Sequence, residues 1–221
     1  VAFVINAMPP SLPAALVAKL VRCETATIGH TRQWGFMDRA IQGVIAGRRA
    51  AGTAVTVQIP AQDSAMLHHA LGLLRPGDVL VVDRLGDDRH ACLGGGVALA
   101  AKLAGAVAAV VDGPCTDFGE IRLHDFPVWC RGPSPITTRI QAIAGALNTP
   151  VACGGVTVRP GDAVIADESG VLVLPPEEAE AVADAALQRQ EREQELWAKL
   201  KAGAKLGDLS GATAKILAAK G

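Results

Sequence analysis

Gly94, Gly95 and Gly96, followed further on by Thr116 and Asp117, are the residues whose types and spacing could do chemistry in this chain. Three glycines leave a backbone able to come close to a ligand, because glycine takes positive φ freely and carries no side chain. The run Val97 to Leu103 that follows consists mostly of good helix formers, and Gly105 stands where a helix would stop. A helix that begins inside the glycines has first N–H groups with no intrahelical acceptor, at the positive end of its dipole. Such a start suits a carboxylate or a phosphate. Asp117 would then set a carboxylate beside an anion site.

Positioning these groups falls to a strand. Ala106 to Val111 is an apolar run of strand length closed by Asp112 and Gly113. The turn after it delivers Thr116 and Asp117 to the strand's carboxyl end, where open α/β sheets place their ligands. A repeated device supports the sheet: Arg75-Pro76-Gly77-Asp78 leads into a short apolar run ending at Asp83, and Arg159-Pro160-Gly161-Asp162 leads into one ending at Asp167. Each reads as a Pro-Gly turn feeding a buried strand. Asp83 and Asp167 are read as caps of loops and helix starts.

Elsewhere, Ser11 and Pro13 open a helix over 14–21, and 25–52 reads as loops with a short helix. Val55, Val57 and Ile59 alternate with polar residues, which predicts a strand with one buried face ended by Pro60. Asp63 or Ser64 caps a helix through Leu74, with Met66, Leu67, Ala70, Leu71 and Leu74 on its apolar face. His68 and His69 on that helix point about 100° apart, cannot easily share a metal, and are expected at the surface or partly packed. A strand over 126–130, a helix over 137–147 and a strand over 150–158 bent at Gly154 and Gly155 follow. Val171 to Leu174 pairs with the run before Asp167. From Pro176 a long charged helix runs to about Lys201, with Ala181, Val182, Ala185, Leu187 and Leu196 on or near its apolar side.

With 221 residues, half of them apolar, the chain can bury a core as one domain, 1–221, with 176–221 as a C-terminal helical extension. Charge is nearly balanced, 21 basic against 22 acidic residues, and no basic cluster is interleaved with aromatics, so nucleic-acid binding has no electrostatic footprint. Five cysteines without a C-x-x-C pair suggest neither a disulfide framework nor a zinc ribbon; they are expected to be buried thiols. Cys115 has no neighbouring histidine in sequence to lower its pKa, which argues against a nucleophile. No secretory leader pattern and no membrane span is read, and a cytoplasmic protein is expected.

The sequence resembles the RraA-like family, which includes the class II 4-hydroxy-4-methyl-2-oxoglutarate/4-carboxy-4-hydroxy-2-oxoadipate aldolases. The likeness runs from about Thr53 to Gly203 and is carried by PGDVLVVD, the glycine-led helix, AGAVAAVVDGPCTD, FPVWCRG and PVACGGVTVRPGDAVIADESGVLVLP. It implies an α/β fold of RraA type, a layered β-sheet core flanked by helices with a long C-terminal helix, and trimers or hexamers with the active site between subunits. The family pattern places its Gly on Gly94, its Glu on Gly95, its Ala on Ala98, its next Gly on Gly105, its Arg on Thr116 and its Asp on Asp117. Gly95 and Thr116 are departures. By the resemblance Asp117 holds Mg²⁺ or Mn²⁺ and the amides of Gly96 and Val97 hold the substrate's pyruvoyl end. A second acid, mapped to Glu193 with Glu191 next, comes from the neighbouring subunit.

The expectation is therefore a metal-dependent carbon–carbon lyase, an aldolase or decarboxylase, acting on a small 2-oxo acid through an enolate. Asp117 and Thr116 stand at its catalytic positions, and Gly94, Gly95, Gly96, Val97 and Thr116 at its substrate contacts. Thr116 cannot polarise the oxo group as an arginine would, and Arg84, Arg89, Arg131 and Arg139 are candidates to replace it. The alternative is a non-catalytic RraA-type regulator that binds proteins. A dinucleotide fingerprint is weak here, since its third glycine position is Leu99.

Overall fold

Parallel strands β3 (Ala50–Gln58), β4 (Asp78–Asp83), β5 (Ala108–Asp112) and β6 (Val128–Cys130) lie side by side in sequence order. The computed structural model describes residues 2–220; residues 1 and 221, the outermost of the expected domain, lie outside the described residues. These strands are rich in Val and Ala, as parallel strands covered on both faces must be. The alternation in β3 suggested one buried face, but Thr53 and Thr56 are as buried as its valines. Their hydroxyls are satisfied inside the protein: Thr53 accepts from Leu12 N–H at 2.9 Å and Thr56 donates to Thr149 O at 2.6 Å.

Helices α3 (Ala65–Leu71), α4 (Gly95–Leu103) and α5 (Phe118–Leu123) connect these strands in turn, packing Leu67, Ala98, Ala101 and Ile121 with Val55, Leu80 and Val111. Against the other face sit Met37, Ile41 and the hairpin of β8 (Val151–Cys153) and β9 (Val156–Val158). Antiparallel β10 (Ala163–Asp167) and β11 (Gly170–Leu174) continue the sheet from the first half of β3, and β7 (Gly145–Leu147) pairs with its last residues. The ends of the sheet are β1 (Phe3–Ile5), parallel to β7, β2 (Gln42–Gly43), antiparallel to β6, and β11, which among the named strands pairs only with β10. Helices α1 (Ala14–Leu20), α2 (Thr25–Gly29) and the first half of α6 (Pro176–Lys201) cover β10 and β11. Ala179, Ala183 and Ala186 are the buried residues of α6, small enough to let it lie close. Beyond it α7 (Leu206–Leu209) and α8 (Ala212–Ala219) bury no residue. This is the layered α/β core with a long C-terminal helix that the sequence implied.

Both Pro-Gly turns are built alike. Gly77 and Gly161 take φ of 88° and 94°, and Asp78 and Asp162 accept the N–H of Arg75 and Arg159, each at 2.8 Å. The strand-end aspartates also cap, as expected. Asp83 accepts from Leu85 N–H at 2.7 Å, and Asp167 accepts from the N–H and hydroxyl of Thr25 and from Ser169 N–H.

Several local expectations are corrected. Pro13 itself is the N-cap of α1, and Ser11 makes no capping bond there. Helix α3 ends at Leu71, short of Leu74. The chain over 150–158 is a hairpin, because Gly154 and Gly155 both take positive φ, 57° and 76°, and turn it back on itself. The largest difference is 137–147, which is a strap and then β7 and contains no helix. The extended chain from Pro133 onward pairs with loops instead: Cys115 bridges Pro133, Ala91 bridges Thr137 and Asp63 bridges Arg139. The strap thus laces together the segments that follow β5, β4 and β3. Tertiary partners outweighed the local helical spacing of Ile140, Ile143, Ala144 and Leu147.

Candidate active site

Three segments meet at the carboxyl ends of β3, β4 and β5, under the strap. Ser64, His68 and Leu71 come from α3 and its N-cap; Ala91, Cys92, Gly94, Gly96, Val97 and Ala100 from the start of α4; Thr116 and Asp117 from the turn after β5. With Thr137, Thr138 and Ile140 of the strap they line a cavity of about 400 Å³. This is where a parallel sheet of this kind places a ligand.

Helix α4 begins within the glycines. Gly94 is its N-cap, and its first intrahelical bond runs from Ala98 N–H to Gly94 O at 2.9 Å. The N–H groups of Gly95, Gly96 and Val97 therefore precede the ladder. That of Gly95 donates to Asp117 Oδ2 at 3.3 Å. Gly96 and Val97 line the cavity at this helix start, the positive end of the dipole.

Asp117 holds φ of 51°, the left-handed region, at the N-cap of α5. Aspartate is among the few residues that tolerate this conformation. A usual Asp cap would accept an N–H of its own helix, but here the side chain makes no capping bond. Its carboxylate turns to α4 instead, taking Gly95 N–H and, at 3.2 Å, the Thr116 hydroxyl, and remains exposed. A Cβ on Gly94 would stand 2.5 Å from Asp117 Oδ2 and 2.8 Å from Thr116 Cγ2, so the close approach requires glycine there. Gly95 has its own reason. A side chain at 95 would meet Glu120, whose carboxylate fills that space and whose Cβ would lie 2.6 Å away. Because even the Cβ of Glu120 stands in the way, an acid at 95 as in the family pattern would require the backbone at 95 or 120 to shift.

Of the sequence-predicted residues, Gly94, Gly96, Val97, Thr116 and Asp117 share the cavity, with Gly95 buried just behind it. Glu193 does not join them within one chain: it lies on α6, 3.4 Å from Arg189 Nε, in a groove facing Ile28 and Thr31 of the α2 region. None of the four candidate arginines lines the cavity. Arg84 is fully buried and bonds Ala61 O, Asp87 and His90 O through Nη2, while Arg131 bonds Asp112 and Asp38. His68, read from sequence as a surface residue, is exposed and forms part of the cavity wall; periodicity placed it off the apolar face but could not say what lay opposite.

All five cysteines are free and buried. Burial, helped by a hydrogen bond with Cys130, pushes the Cys115 thiol well above its ordinary range, which removes it as a nucleophile. The strap is fixed by Asp63, whose carboxylate accepts from Ala65 and Gln141 N–H at 3.0 Å and Ile143 N–H at 2.6 Å. Burial alone would raise that carboxyl, but the backbone N–H groups more than offset it and hold it below the ordinary range.

A divalent cation fits this site. Mg²⁺ keeps several waters and takes one or two carboxylates, which an exposed Asp117 beside the Thr116 hydroxyl in an open cavity fits better than an all-protein cage would. Among the described residues no group of three or more His, Cys, Asp or Glu side chains is clustered to form such a cage. No described helix is long and apolar enough to cross a membrane.

Known proteins agree with this architecture. The RraA-like family, described as Aldolase/RraA, matches residues 23–173. A Halalkalibacterium halodurans protein with the provisional name 4-hydroxy-4-methyl-2-oxoglutarate aldolase is 37% identical over 139 residues, spanning 63% of this chain and 66%, just under two thirds, of its own length. The crystal structure of Streptomyces coelicolor RraAS2, an unusual member of the RNase ES inhibitor RraA family, superposes with a TM-score of 0.74 at 31% identity, over 84% of this chain and 98% of that one. The RNA-processing inhibitor RraA from Thermus thermophilis gives 0.58 at 31% identity, over 63% and 84%. The match covers most of the chain and the superposition covers its sheet core, and the chain belongs to the RraA-like family.

Proposed function

We propose that the protein is a divalent-metal-dependent carbon–carbon lyase that cleaves or decarboxylates a small 2-oxo acid through an enolate. One observation carries this reading. A helix start prepared for a carboxylate and an exposed Asp117 carboxylate line the same cavity, while among the described residues no Lys or Arg does. Two anions about 5 Å apart repel by roughly 3 kcal/mol at an effective dielectric of about 20. A cation between them removes that cost.

Asp117, oriented by Gly95 N–H and the Thr116 hydroxyl, would hold Mg²⁺ or Mn²⁺. When bound, the ion supplies Lewis-acid polarisation of the 2-oxo group. The amides of Gly96 and Val97 bind and orient the substrate carboxylate, and the Thr116 hydroxyl offers one neutral donor to the developing enolate oxygen. Val97, Ala100, Leu71 and Ile140 give the cavity an apolar wall that limits water around the reacting carbon. Glu193 of a neighbouring subunit completes the site in a trimer or hexamer, and the names of relatives point to the aldolase chemistry.

The test is pyruvate release from oxaloacetate with Mg²⁺ or Mn²⁺, with EDTA and oxalate as controls. Turnover above the metal-only rate, lost with EDTA and inhibited by oxalate, is expected. Absence of turnover by a folded, metal-binding oligomer would reject the lyase. It would favour a protein-binding regulator, a reading supported by α8, which buries nothing and exposes Ile216 and Leu217.

A further inference from the structure

We propose that His68 is the proton carrier of this site, an inference that rests on the lyase reading above. Helix α3 turns Met66, Leu67 and Ala70 into the core. His68 emerges from its exposed side, one turn after Ser64, and lines the cavity with Ser64, Thr116 and Asp117. His69, about 100° further round the helix, does not line it.

The chemistry needs such a group. Breaking the carbon–carbon bond leaves its electron pair in the enolate, and turnover ends only when a proton reaches C3. The Thr116 hydroxyl holds its proton at neutral pH. Asp117 is committed to the cation, and burial pushes the Cys92 thiol up to about 11. His68 is the remaining titratable side chain among the described residues of the wall, and imidazole is the side chain that exchanges protons near neutrality. The groups across from it are Asp117 before α5 and Cys92 before α4; the strap presents Thr137, Thr138 and Ile140, none of them charged.

In retro-aldol cleavage the neutral ring takes the proton of the 4-hydroxyl as the C3–C4 bond breaks, the C4 carbonyl forms and the pair moves into the enolate. The imidazolium then gives that proton to C3 as the C2 oxo group re-forms. The ring ends neutral, so the cycle closes with no net proton. Run on pyruvate alone, the same ring removes and returns a methyl proton.

Exchange of solvent deuterium into the methyl group of pyruvate, followed by proton NMR with Mg²⁺ present, tests the assignment. His68→Ala should slow exchange about a hundredfold. Its thermal melt, and its affinities for Mn²⁺ by EPR and for oxalate by calorimetry, should stay at wild-type values. Added imidazole should restore at least a tenth of the lost rate through the open cavity, an order-of-magnitude expectation from the size of acid–base effects. His69→Ala should behave as wild type and ignore imidazole. Exchange at the wild-type rate in His68→Ala overturns the proposal, as does a loss that imidazole leaves untouched while Mn²⁺ and oxalate still bind. If His68→Ala does not fold, His68→Gln decides: loss of exchange with metal and oxalate binding intact supports the assignment, and unchanged exchange rejects it. No metal-dependent exchange in the wild type overturns the lyase reading itself, and His68 with it.

Discussion

Asp167 and Asp117 both follow strands of one sheet, yet the protein uses them in opposite ways. Asp167 at the end of β10 is buried, and its carboxylate accepts from Thr25 N–H at 2.7 Å, Thr25 Oγ1 at 2.6 Å and Ser169 N–H at 2.8 Å. It ties the start of α2 to the sheet. Asp117, in the turn beyond β5, stands exposed with one N–H at 3.3 Å and one hydroxyl at 3.2 Å, in a left-handed backbone conformation. One carboxylate is saturated by its own fold, and the other has acceptor capacity left over. An exposed acid with acceptor capacity left over, on the wall of a cavity, is where a ligand is to be sought.

The difference makes a crossed prediction. Asp167→Ala should lower stability by about 3–4 kcal/mol, because it leaves buried donors without acceptors, and denaturant melts should show it. Asp117→Ala should stay within about 0.5 kcal/mol of wild type in the same melts. Its effect belongs in metal binding, where calorimetry with Mn²⁺ should find at least about a hundredfold loss, equivalent to roughly 2.7 kcal/mol. Equal melting penalties, or unchanged metal affinity, would erase the distinction between the two acids.

Asp63 is the intermediate case, a saturated acid that serves the cavity indirectly by holding the strap. Removing its acceptors of Ala65, Gln141 and Ile143 N–H should cost about 2–3 kcal/mol in Asp63→Ala. Hydrogen exchange should show the added opening concentrated in 137–143. The pH dependence follows from the sign of its shift. The folded carboxyl lies below its unfolded value of about 3.9, so its stabilisation is present above pH ~4 and is lost as pH falls through the folded pKa. The stability gap between wild type and Asp63→Ala should therefore narrow on acidification below pH ~4. A gap constant from pH 7 to 3 would mean the carboxylate charge does not hold the strap.

Sequence patterns exposed those parts of the molecule whose cause is local. The glycine-led helix, the twin Pro-Gly-Asp turns, the β10–β11 hairpin and the extent of α6 all follow from propensity and turn chemistry within a few residues. What stayed hidden depends on distant partners. The strap looked helical because its apolar spacing is helical, whereas bridges to Asp63, Ala91 and Cys115 decide its shape. His68 carried only the information that it faces away from the core. Gly95 read as a missing acid until Glu120 was found in the space above it. The four arginines could be named but not placed, and the fold spends Arg84 and Arg131 on internal ion pairs.

The smallest predicted effect concerns Thr116, where the resemblance expects an arginine. Its side chain is half-buried, packs its methyl toward Gly94 and gives Asp117 one hydrogen bond. Replacing it with arginine would add a cationic donor to a cavity that has none from Lys or Arg among its described lining. A preorganised donor at a developing oxyanion contributes about 3–4 kcal/mol in favourable sites. In a turn shaped around threonine less is expected, and Thr116→Arg should raise metal-dependent pyruvate release from oxaloacetate about tenfold, or ~1.4 kcal/mol. Asp117 is the control on the comparison: the gain should vanish in Thr116→Arg/Asp117→Ala, because the guanidinium would then have an anionic substrate to bind but no cation beside it. A single variant that folds, binds Mn²⁺ as wild type does and shows no gain would mean that the space around Thr116 does not receive a 2-oxo group. Asp117 would then hold its cation for a different substrate.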